Sequence, residues 1–85
     1  MRERAVKERS AWAILLRQNN EVDGYKERFY HKFSDNIAPA LFRTRDQARH
    51  FIQSKLIYYK NDLMVSDGWK PPVAVKVVVS VRKAS

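Results

Sequence analysis

Val73, Val75, Val77, Val79 and Val81 fall on every second position of the stretch WKPPVAVKVVVSVRK, which begins at Trp69. Ala74, Lys76, Val78, Ser80 and Arg82 occupy the positions between. A period of two, with β-branched residues on one parity, predicts a strand with one buried face. Pro71 and Pro72 mark its start, where a missing N–H is tolerated. One strand has no stability alone. The rest of the chain must supply a partner strand and an apolar cover.

Residues 11–18, AWAILLRQ, form the other long apolar run. Trp12, Ile14 and Leu16 share one parity; Ala13, Leu15 and Arg17 share the other. The length suits a strand, and apolar residues on both faces put it at the centre of a sheet. Residues 19–24, NNEVDG, carry turn chemistry, because Asn, Asp and Gly tolerate positive φ. Residues 25–33, YKERFYHKF, then return as the second strand of a hairpin. Phe29, His31 and Phe33 would face one way, and Arg28, Tyr30 and Lys32 the other. Its charge density suits an edge position.

Residues 34–39 read as a loop. Thr44, followed three residues later by Gln47, has the pattern of a helix N-cap and capping box. A helix from Arg45 to about Lys60 would carry Ala48, Phe51, Ile52, Leu56 and Tyr59 on one apolar stripe. Ile57 falls off that stripe, either as an exposed apolar residue or because the helix ends before it. Residues 61–68 turn the chain back towards Trp69.

The expected fold is α+β: a two-layer β-β-α-β arrangement over residues 11–85, after a charged N-terminal arm at residues 1–10. Its three-stranded antiparallel sheet has the order 2-1-3. One helix covers the face made by Trp12, Ile14, Leu16, Phe29, Phe33 and the odd-numbered valines. The other face has no cover from within the chain, so a second copy or a target protein can dock there.

Among 85 residues, 17 lysines and arginines against 9 acids give a formal net charge of +8. That excess favours acidic partners: nucleic acid, an anionic surface or an acidic protein. Cysteine is absent, which excludes disulfides and thiolate chemistry. No stretch is long enough to span a bilayer, and no membrane partner is expected. The apolar run after the basic start is too short for a signal peptide and stops at Arg17, so a cytoplasmic location is expected.

Catalytic constellations are missing. The acids are scattered, only two glycines are present, and no serine sits in an elbow motif. His50 falls on the outer face of the helix without metal-ligand spacing. His31, with Asp35 four residues on, is the one arrangement resembling an acid/base pair, and a structural His–Asp hydrogen bond is the favoured reading of it. A non-enzymatic protein with no metal and no cofactor is expected.

The positive signal is basic and aromatic. Arg17, Arg28, Tyr30, Lys32, Lys76 and Arg82 would project from the uncovered sheet face, where cations around an aromatic can hold a phosphate backbone and stack a base. Arg43, Arg45, Arg49 and Lys60 form a second basic patch along the helix edge, within reach of phosphate. Either group also serves as solubilising charge.

Leu41-Phe42-Arg43-Thr44-Arg45, with Ala48 and Arg49 following, and the pairing of an early Trp-Ala-Ile-Leu-Leu strand with a late Gly-Trp-Lys-Pro-Pro strand resemble small accessory proteins of tailed phages and prophages. The resemblance covers the central strand, the helix start and the last strand. It implies expression inside a bacterial cell and a role as an accessory factor. Two functions are expected from it together with the charge. One is nucleic-acid binding through a basic surface. The other is inhibition or adaptation of a host nucleic-acid-processing or defence complex by binding an acidic host protein.

Overall fold

The computed structural model describes residues 7–31 and 39–81. Strand β1 spans Lys7–Asn20, β2 Gly24–Phe29, helix α1 Arg45–Lys55, a 3₁₀ turn Ile57–Lys60, a short helix α2 Asp62–Ser66 and β3 Val73–Val81. The sheet is antiparallel with the order β2-β1-β3, and α1 packs on one face of it. The α+β class, the strand order and the single covered face are as the sequence predicts. No helix among the described residues is long and apolar enough to cross a membrane.

Residues 7–10 are strand, not part of a solvated arm. β3 extends to Val81 and pairs Glu8 with Ser80 and Arg9 with Val79, so ladder hydrogen bonds override a polar sequence. Residues 1–6 of the expected arm lie outside the described residues, as do Lys32, Phe33, Asp35 and Arg82.

Two local features set which side each strand presents. Residues 21–23 form a turn closed by the Asn20–Gly24 pair, with Gly24 at φ +73° and the Asp23 N–H donating to Asn20 Oδ1 at 2.7 Å. That turn length pairs Leu16 with Arg28 and Leu15 with Phe29. At the other end, Trp69 pairs with Gln18, where the Leu15–Val73 register would place Lys70. The slip falls at Lys70-Pro71-Pro72, and Arg17 Nη2 donates to the Pro71 carbonyl across it at 2.8 Å.

These registers reverse the expected sides of β2 and β3. Ile14 pairs with Ala74 and Trp12 with Lys76, so the even-numbered residues of β3 share the helix side. Val73, Val75, Val77, Val79 and Phe29 lie on the face away from α1 with Ala11, Ala13 and Leu15. Arg28, Tyr30 and Lys76 therefore do not project from the uncovered face. Tyr30 packs against Phe51 in the core, with ring centroids 5.5 Å apart.

Ile14, Leu16, Ala48, Leu56 and Tyr59 form the buried core, with Trp12, Phe42, Phe51, Ile52 and Trp69 packed against it. Burial pushes the Tyr59 hydroxyl up to about 12, helped by Tyr58 stacked on it at 4.7 Å, so the phenol stays neutral. The apolar stripe is the expected one, but α1 ends at Lys55 rather than near Lys60. Ile57, 59% exposed, starts the 3₁₀ turn. The expected turn over residues 61–68 contains α2, capped by Asn61 Oδ1 accepting the Met64 N–H at 2.9 Å.

Thr44 caps α1. Its Oγ1 accepts the Gln47 N–H at 3.1 Å. Gln47 Oε1 accepts the N–H of Arg43 at 3.1 Å, one residue before the usual capping-box donor. Removing the cap oxygen with Thr44→Ala should cost about 1 kcal/mol, a fall in Tm of about 4–8 °C. An unchanged melting curve would show that the cap contributes nothing.

Candidate functional site

A cleft of about 400 Å³ separates the exposed edge of α1 from the start of β3. Arg45, Arg49, Gln53 and Lys60 form one wall and Pro71, Pro72, Val73 and Ala74 the other. Arg45 and Arg49 are one helical turn apart, so their side chains emerge on the same flank. Lys60 arrives differently. It ends the 3₁₀ turn that follows the helix. The two prolines shape the opposite wall, and Pro72 is buried.

Lys76 extends this basic surface. It is exposed and lies on the same side of β3 as Ala74, directly across from Trp12. The Arg45 guanidinium carbon sits 5.0 Å from the Trp12 ring centroid. Such a cation–π contact orients the guanidinium at a cost of little of its charge, and is worth about 0.5–1 kcal/mol at an exposed site.

No carboxylate among the described residues lines the cleft. Asp46 lies on the opposite flank of α1, where it borders a separate groove of about 660 Å³ with Phe42, His50 and Lys55. The one ion pair among the described residues is Lys26–Asp23, at 3.7 Å on the hairpin. Among the described residues the cleft cations have no carboxylate partner, so their hydrogen-bond donors can meet an external anion.

The two basic groups expected from the sequence are thus redistributed. Arg45, Arg49 and Lys60 come together in one cleft, with Arg43 exposed just before the N-cap and Lys76 beside it. Of the described residues of the first group, Arg17 alone lies on the face away from α1, where it spans the register slip to Pro71. Arg28 borders a cleft of about 380 Å³ with Leu16, Gln18 and Trp69, away from Lys76. The contribution of Trp12 beneath Arg45 was not readable from the sequence, since only the register brings the two together.

Elsewhere, the Tyr25 hydroxyl donates to Glu27 Oε2 at 2.6 Å, which raises its pKa. His31 Nδ1 is enclosed and has no hydrogen-bond partner among the described residues. No three of His, Asp and Glu come together among the described residues as a metal site would need. No protein family, no curated protein and no solved structure matches this chain.

Proposed function

We propose that this chain is a small non-enzymatic binding protein, a phage-type accessory factor inside a bacterial cell, that holds the phosphate backbone of nucleic acid in the α1–β3 cleft. The observation that carries this reading is the convergence of Arg45, Arg49 and Lys60 on one cleft that no carboxylate among the described residues lines, with Lys76 alongside. Guanidinium groups bind phosphate oxygens in a fork geometry, and an overall charge of +8 draws a polyanion towards them. Backbone contacts of this kind position a protein without reading base sequence. Tyr30 is not offered for base stacking in it, because its ring packs against Phe51 beside the core.

A salt titration with labelled single-stranded and duplex DNA and RNA tests the reading. About four phosphate contacts should give a log–log slope near −3.6 on duplex, a loss of roughly 100-fold between about 50 and 200 mM salt. Little dependence on base sequence is expected. Absence of salt-sensitive binding would turn the same cleft into a site for an acidic host protein, recovered from a lysate after nuclease treatment.

A further inference from the structure

The Arg45 guanidinium carbon sits 5.0 Å from the Trp12 ring centroid, so the indole supports the group from one side. Arg45 borders the α1–β3 cleft and Trp12 does not, which sets the guanidinium between the ring and the cleft. Arg45 is exposed, so the side turned from the indole is open to a ligand. A guanidinium carries all its N–H donors in its plane. Hydrogen bonds to a phosphate therefore use its edge and leave its face free. We propose that a base of single-stranded nucleic acid stacks on this face, so that the cleft prefers a single strand to a duplex. The inference rests on the phosphate-binding reading of the cleft and adds what lies beside the phosphates.

Both partners of the platform are held before any ligand arrives. Trp12 packs against the core, and it exchanges two backbone hydrogen bonds with Phe42, at 2.9 and 2.8 Å. Arg45 is the first residue of α1, directly after the Thr44 cap. An arginine already resting on a ring loses less rotamer freedom when a base stacks on it than a free one would. Arg49 lies about 6 Å further along the helix axis, and Lys76 lies across from Trp12 in the register. Cations therefore stand on both sides of the platform to take the phosphates that flank the stacked base. Tyr58 is also an exposed aromatic, but it does not border the cleft.

The flat face selects the occupant. A carboxylate of an acidic peptide would use only the edge donors and gain nothing from the face. A nucleobase is planar and stacks on arginine planes as it does on aromatic rings, whatever its identity. A duplex encloses the faces of its bases within its own stack, so it offers the platform only phosphate. Charge by itself predicts the reverse order, because phosphates are denser along a duplex and release more counterions. A preference for the single strand therefore reports stacking and not attraction to a polyanion.

Three probes of the full chain at about 0.1 M salt test this: a labelled single strand of about 12 nucleotides, the same strand annealed to its complement, and an abasic strand of equal length. The parent should bind the intact single strand about 5-fold or more tighter than either of the others, the effect of one stacked base. Arg45→Lys keeps the charge and removes the planar face. It should lose that preference while its affinity for the duplex stays within about 2-fold of the parent's. The abasic comparison uses the parent alone, so it stands even if the variant folds poorly. A parent that binds the duplex or the abasic strand as tightly as the intact strand would overturn the proposal and leave the phosphate cleft in place. An unchanged preference in folded Arg45→Lys would also overturn it. Absence of salt-dependent binding to all three probes would remove the phosphate reading and this inference with it.

Discussion

Gly68→Ala should lower the melting temperature by about 12–24 °C, the loss of roughly 3 kcal/mol from a domain of this size. Gly68 holds φ +92° between α2 and Trp69. A side chain there has two problems. The left-handed backbone costs about 1–2 kcal/mol for any L-residue. An added Cβ would also run into the carbonyl oxygen and carbon of Asn19, which are backbone and cannot rotate away. The turn would have to lift from β1, and its bonds would go with it. The Asn19 N–H donates to Gly68 O at 2.9 Å, and Gln18 Nε2 and Asn20 Nδ2 donate to Asp67 O at 3.0 and 3.3 Å. Trp69, edge-on to Tyr59 at 5.2 Å, would move with the turn. Gly24→Ala is the control. Gly24 is also left-handed, at φ +73°, but a Cβ there meets nothing, so the penalty is conformational alone, about 1 kcal/mol. Equal melting shifts for the two variants would mean that the approach of Gly68 to Asn19 does not constrain the fold.

Strand order and the start of the helix were legible because each depends on a local signal. The valine period, the apolar run around Ile14 and the Thr44–Gln47 spacing all persist in the folded chain. The sides of the sheet were not legible. Parity passes from one strand to the next only through register, and register depends on turn length and on any slip along the ladder. Trp69 and Val73 are both odd-numbered and would share a face on an uninterrupted strand. The slip at Pro71 and Pro72 puts Trp69 against the core and Val73 on the uncovered face. Arg17, expected to bind phosphate, instead spans that slip.

The basic surface followed the same division. Arg45 and Arg49 share a flank by helical spacing alone, and the structure keeps them together. Lys60 was grouped with them by extending the helix past its true end, and it reaches the cleft through the 3₁₀ turn. Lys76 was expected among the cations of the uncovered face. Its pairing with Trp12 moves it to the helix side, where it extends the α1–β3 cleft. The face away from α1 is left apolar at its centre, which separates a charged surface from an apolar one across the thickness of a single sheet.

Reversing two cleft charges with Arg49→Glu and Lys60→Glu should weaken nucleic-acid binding at least 10-fold near 0.1 M salt, and should make the salt slope shallower by about 2. Both residues line the cleft and neither carries the core stripe, so stability should stay within about 0.5 kcal/mol of the parent. Arg45 is left in place because its contact with Trp12 would mix a packing loss into the result. Net charge alone would also weaken binding, so the decisive comparison changes it equally elsewhere. Lys26 belongs to the hairpin, and Lys55 lies on the opposite flank of α1. Lys26→Glu with Lys55→Glu makes the same change in charge and leaves the cleft intact. Long-range attraction is screened within about 10 Å at this ionic strength, so the second pair should lower affinity far less and leave the slope nearly unchanged. If both pairs weaken binding equally, the polyanion responds to overall charge and the cleft is not its site. If neither does, Arg49 and Lys60 make no phosphate contact.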